Sequence, residues 1–276
     1  MKRHNNYIIM LFLSCTLVLG ASLQSCEEVI DIDLNDADPA LSVDGTINIG
    51  EGAHVQLSYT SDYFGNNEPK HEENAVVTLS SANALSETLT HQGNGLYTGN
   101  LIRGQAGIEY ELKIAIDDEQ YTGTSFLKKP TEIVKLGYKP FDGFGGSDGE
   151  QEYNLEITLK NYPEEECFFL IKYYLNDEEQ EDSYSTISHE YFPKEEIIEF
   201  SPFSFSFTKD DVVTVRAYSI DEGTYEYYSQ LEDIIDRHGG SSTPYNPESN
   251  MGKDVVGYFR AWSYDEQKVE IIEEEE

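Results

Sequence analysis

Between Glu109 and Ile116 every second side chain is apolar: Tyr110, Leu112, Ile114 and Ile116 alternate with Glu109, Glu111 and Lys113. An extended chain points successive side chains to opposite faces, so this spacing puts one row in a core and the other in water. Similar runs cover residues 55–59, 76–79, 121–127, 155–159, 213–217 and 255–261. Turn-forming clusters stand between them, among them Gln92-Gly93-Asn94-Gly95, Arg103-Gly104-Gln105-Ala106-Gly107 and Asp117-Asp118-Glu119. Turns this close suit antiparallel hairpins and leave no room for the crossover helices of a parallel sheet. The fold expected is all-β, with two antiparallel β-sandwich-like domains and one short helix.

The first domain, residues 41–129, has the length of an immunoglobulin-like sandwich and closes at Lys128-Lys129-Pro130. A C-terminal β-rich domain fills residues 130–276. Its glycine-rich stretch, residues 141–149, lacks the strand-to-helix frame and the Lys-Ser or Lys-Thr of a phosphate cradle, and reads as a flexible connection. The helix is expected near residues 224–237. Thr224 caps it, Tyr227, Leu231 and Ile234 or Ile235 recur at helical spacing, and His238-Gly239-Gly240 stops it. Tyr225, Tyr227 and Tyr228 serve either packing against a sheet or an interaction surface. Trp262, the single tryptophan, is read either as core beside Phe259 or as an interface residue.

The N-terminus bounds where such a chain works. Lys2 and Arg3 precede an apolar stretch, residues 7–20, too short to span a bilayer comfortably, and small residues lead to Leu23-Gln24-Ser25-Cys26. This tetrapeptide resembles a bacterial lipobox, in which the cysteine thiol receives a diacylglycerol, the peptide is cut before it and the new amino group is acylated. Residues 1–25 are then a lipoprotein signal peptide and Cys26 is the first, lipidated residue. Several acyl chains hold a protein on a bilayer firmly where one does so marginally. The competing reading is an ordinary signal peptide cut near Ala21. Residues 26–40 form an acidic tether ending at Pro39-Ala40. Asp31, Asp33 and Asn35 imitate a calcium loop, but Asp36 stands where glycine is required and Ser42 where a bidentate glutamate belongs, so that reading fails. With Cys15 removed and Cys26 lipidated, only Cys167 is left in the folded part, and its apolar run points to a buried, unreactive thiol.

Eighteen Lys and Arg face 53 Asp and Glu, a formal net charge of -35. Phosphate backbones repel such a surface, so nucleic acid is not an expected partner, and adhesion to anionic headgroups is disfavoured, leaving the lipid to do the anchoring. His54, His71, His91, His189 and His238 are scattered with no partner at metal-ligand spacing, and no Gly-x-Ser-x-Gly elbow announces a nucleophile. Neither enzyme activity, nor a cofactor, nor a metal is expected.

Val43-Asp44-Gly45-Thr46-Ile47 after the lipobox, then Gly95-Leu96-Tyr97, Tyr110-Glu111-Leu112, Pro130, residues 225–231, Asn246-Pro247-Glu248-Ser249-Asn250 and Gly257-Tyr258-Phe259 occur in this order along the chain. The order resembles the Bacteroidetes lipoproteins of the domain of unknown function 4249 family. The resemblance implies an outer-membrane lipoprotein facing the cell surface or the periplasm, in a setting similar to that of lipoproteins accompanying TonB-dependent transporters. Glu27 and Glu28 fit the family setting's surface signal loosely. A non-catalytic accessory or binding component is therefore expected, with residues 245–250 and the helix before them as the contact region. The alternatives are capture of a glycan, peptide or cation, with Tyr245, Asn246, Asn250 and Tyr258 sharing one face as the binding group, and a structural or adhesive envelope role.

Overall fold

The computed structural model describes residues 39–61, 70–141, 151–192, 194–202, 206–236 and 245–272. All belong to one compact unit, Asp38–Glu276. Cys26, the signal segment, the tether up to residue 38, most of the glycine-rich stretch and His238-Gly239-Gly240 lie outside the described residues.

The chain is all-β with one α-helix among the described residues. The first sandwich comes from β1 (Leu41–Asn48), β2 (Ala53–Tyr59), β3 (Val76–Ser81), β4 (Ser86–Thr88), β5 (Thr90–Gly93), β6 (Leu96–Thr98), β7 (Ile108–Ile116) and β8 (Glu119–Leu127). Its sheets run β1-β2-β6-β5 and β4-β3-β7-β8. In immunoglobulin lettering these are A-B-E-D and C′-C-F-G, the strand order of that sandwich. Their inner rows, with Val43, Ile47, Val55, Leu57 and Tyr97 facing Val77, Leu79, Leu112, Ile114 and Leu127, make a single core. Tyr110 Oη accepts from Gln105 N at 2.8 Å and donates to Arg103 O at 3.4 Å. This is the tyrosine corner that holds the E–F connection in such folds, built here by a residue whose alternation alone suggests core.

The second sandwich repeats the order. Strands β9 (Ile133–Pro140), β10 (Tyr153–Lys160) and β13 (Ile197–Phe200) form one sheet, A-B-E. Facing it, β12 (Glu178–Ser188), β11 (Phe168–Leu175), β14 (Val212–Ile220) and β15 (Val255–Glu270) form C′-C-F-G. Leu155, Ile157, Phe169, Ile171, Tyr173, Val213 and Val215 fill the space between them.

Strand β15 belongs to both sandwiches. Its first half pairs in parallel with β1, Leu41 to Val255 through Asn48 to Trp262, and its second half pairs antiparallel with β14. One eight-stranded sheet therefore runs through the molecule, β12-β11-β14-β15-β1-β2-β6-β5. Although the first eight strands end at Leu127, Val255, Phe259 and Ala261 complete the core of the first sandwich. Gly257 permits this approach: its φ is +89°, and a Cβ there would meet Val43 O at 2.1 Å.

The helix α1 (Glu222–Asp236) starts two residues earlier than the sequence suggests. Asp221, not Thr224, is the cap: its Oδ1 accepts from Thr224 N at 2.9 Å, while Thr224 itself is fully buried. Asp221 Oδ2 also accepts from Ser125 Oγ and Phe126 N of β8, both at 2.7 Å, so the cap clasps the first sandwich. Ser125 in turn accepts from Ala261 N at 2.8 Å. Tyr225, Tyr227, Tyr228 and Leu231 cover Phe168, Leu170, Tyr218, Ile220 and Trp262 on the outer face of the sheet. Trp262, 5% exposed, is thus core beneath the helix.

Candidate functional site

The turn between β7 and β8, the end of β2 and the start of β1 lie at the same end of the first sandwich: Leu41 pairs with Tyr59 on one sheet, Ile116 with Glu119 on the other, and all four line one groove. The connection from α1 to β15 returns to that end. Together they enclose a groove of about 1100 Å³ whose walls include Leu41, Tyr59, Tyr121, Asn246, Glu248 and Asp254. Glu119 and Lys253 also line it, and the lining holds neither histidine nor cysteine.

Two phenols give the groove its chemistry. Tyr59 Oη donates to Glu72 Oε2 at 2.7 Å, and Glu72, 8% exposed, also accepts from Asn74 N at 2.7 Å. Partial burial, then the bond to this carboxylate, pushes the Tyr59 phenol up to about 12. Tyr121 Oη donates to Glu119 Oε2 at 2.5 Å, and that bond, with partial burial, raises its phenol to about 12 as well. Both rings are therefore neutral at physiological pH, presenting an apolar face and an oriented hydroxyl. With Glu248 and Asp254 against the single Lys253, the walls offer aromatic surface and anionic acceptors, suited to an extended polar or cationic segment.

The floor is set by Asn250. Its Nδ2 donates to Phe259 O at 2.7 Å and to Thr124 O at 2.9 Å, and its Oδ1 accepts from Phe259 N at 3.0 Å. The side chain thus pairs with β15 as a strand backbone would and fastens the loop to β8. Met251, 2% exposed, seats over Gly123, where a Cβ would meet its Sδ at 2.4 Å.

The four residues singled out as a binding group do not share a face. Asn246 and Asn250 line the groove, but every hydrogen-bonding atom of the Asn250 side chain already has a backbone partner. Tyr245 is exposed and donates to Gln230 O of the helix at 3.4 Å. Tyr258, 5% exposed, packs under the helix with its ring 4.8 Å from that of Tyr227. The common platform for a sugar is therefore not formed by these residues, because alternation along β15 turns Tyr258 to the helix side. Tyr59 was not legible as a neighbour of Glu119 and Tyr121, since it stands on the opposite sheet and only the packing of the two sheets brings these distant positions to one end.

The remaining candidate groups are dispersed. His71 Nδ1 is 3.4 Å from Gln56 Nε2, His91 lies 4.9 Å from the Tyr97 ring and His189 meets Phe168 edge-on. Among the described residues no three His, Cys, Asp or Glu side chains are grouped to hold a metal ion. Cys167 is half-buried; burial pushes its thiol up, and Sγ donates to Tyr162 O at 3.8 Å. No described helix is long and apolar enough to cross a membrane.

No curated protein matches the chain in sequence. Among solved structures, a two fibronectin type-III domain segment from chicken tenascin is similar at 11% identity and a TM-score of 0.21, covering 67% of this chain and 92% of that one. The family described as domain of unknown function (DUF4249) matches residues 27–268, from just after Cys26 to nearly the end of β15, and the chain belongs to that family.

Proposed function

We propose that the chain is a non-catalytic lipoprotein, anchored through Cys26 to the outer membrane at the cell surface, and an accessory component of a TonB-dependent transporter. The observation that carries this reading is the groove's position: it opens at the end of the first sandwich where Pro39 and Ala40 enter, and both residues line it. The groove thus opens at the same end of the body at which the chain arrives from its anchor. Neutral tyrosines and carboxylates there suit contact with an extended protein segment, and Tyr is a residue in which binding energy concentrates. Purification in mild detergent from the native membrane tests it: a transporter barrel is expected in stoichiometric amount, whereas recovery of the lipoprotein alone counts against an accessory role.

Capture of a glycan, peptide or cation is the second reading, favoured by the pairing of aromatic rings with acids in one groove. It expects a monomer whose melting temperature rises with one of those ligands.

A further inference from the structure

We propose that β1 and β15 form a load-bearing clamp, so that a pull on the N-terminal tether is met by shear of a whole strand instead of stepwise peeling. The physiological meaning rests on the lipid-anchor reading, since that anchor makes residues 26–40 the handle.

The clamp follows from where β1 sits. The chain enters the fold at β1, which is no edge strand: it pairs with β15 on one side over eight residues and with β2 on the other over seven. Ladder bonds flank these pairs at both ends, with Thr60 N donating to Ala40 O at 2.9 Å and Ile49 N to Trp262 O at 3.2 Å. Asp44 adds an ion pair to Arg260 across the β1–β15 seam, at 2.5 Å. Leu41, Val43 and Ile47 are buried in the core, so sliding the strand also drags apolar side chains out of it.

Direction decides how these bonds resist. Inter-strand bonds cross from strand to strand, slanted in a parallel pair such as β1–β15, so tension along the axis loads all of them together, while tension across the sheet opens them one after another. Because β1 and β15 are parallel, the N-terminal end of one and the C-terminal end of the other are at opposite ends of the seam. Tension between the chain's ends therefore runs up β1, crosses to β15 and leaves along it. The other strands of both sandwiches lie outside that path. Glycine at 257 fits the same purpose, because any side chain there would push Val43 and the seam apart.

Single-molecule pulling of the unlipidated mature chain tests this in two geometries. With handles at residue 26 and after Glu276, shear is expected, and the first rupture should release the first sandwich. With handles at residue 26 and at Lys253→Cys in a Cys167→Ser background, both points lie at the same end of the seam and the pairs unzip. The expected rupture force is several-fold lower in the second geometry. Equal forces in the two directions would overturn the proposal. So would a first rupture, in end-to-end pulling of the unmodified sequence, that frees only the second sandwich. Neither result depends on a membrane or a transporter, so failure here is distinguishable from failure of the accessory role.

Discussion

Asn250 shows what a residue name conveys and what it withholds. An amide in a proline-bounded loop announces two donors and an acceptor, and from sequence these were available to a ligand; the fold gives all of them to Phe259 and Thr124. Nothing local signals this, because the partners are on strands that reach the loop only through tertiary pairing. Replacing Asn250 by Ala removes these bonds and leaves backbone groups of β15 and β8 short of partners, with an expected loss of about 2–3 kcal/mol in urea unfolding. Asn250→Asp should be at least as damaging, since a carboxylate then faces two carbonyl oxygens. Glu87 makes a complementary case at the other end of the sandwich. Its carboxylate accepts from Asn100 N, Leu101 N and Ile102 N at 2.6–2.8 Å. Partial burial raises its pKa, but these donors and Arg103 outweigh that and hold it below the ordinary glutamate range. A depressed folded value means stabilisation complete above the unfolded pKa of about 4.3 and lost as pH falls through the folded one. Glu87→Gln should therefore lower stability by about 1–2 kcal/mol at pH 7, and the gap to the unmodified chain should shrink in acid titrations of unfolding.

Long alternating elements were legible and short or shared ones were not. Residues 110–116, 121–127 and 155–159 are strands as their spacing requires, because one face of each lies in a core. Strands β4, β5 and β6 have three or four residues, too few for a period to register. Only the first half of β15 was apparent, because beyond Trp262 it runs through Asp265, Glu266, Gln267 and Lys268, whose polarity hides a strand that pairs with β14 throughout. The start of α1 was misplaced for a similar reason: Thr224 and Asp221 are both good caps, and the choice is made by Ser125 and Phe126 on another strand. Asp221→Ala removes a cap and the clasp on β8 together, and about 2–3 kcal/mol is the expected cost. Combining it with Ser125→Ala should cost less than the sum of the two, since they share a bond; a double-mutant cycle by chemical unfolding measures that coupling. Tyr110→Phe should cost about 1 kcal/mol by loosening the corner at Arg103 and Gln105.

At the scale of the molecule, a surplus of acid over base spread along the sequence says how the surface behaves in water and nothing about which strands meet. The all-β class followed from the alternation, whereas the single sheet running through both sandwiches did not, because it depends on a parallel pair between β1 and β15. Cell fractionation tests the proposed anchor: Cys26→Ser should move the protein out of the membrane fraction. A fragment of residues 39–129 should give no cooperative unfolding transition, because it lacks Met251, Val255, Phe259 and Ala261 from its core. The same arrangement orders events in time. Since the opening strand of the body waits for a neighbour on β15, which leaves the ribosome after every other described strand, the first sandwich stays incomplete while the second is being made, and its core closes late around a distant segment.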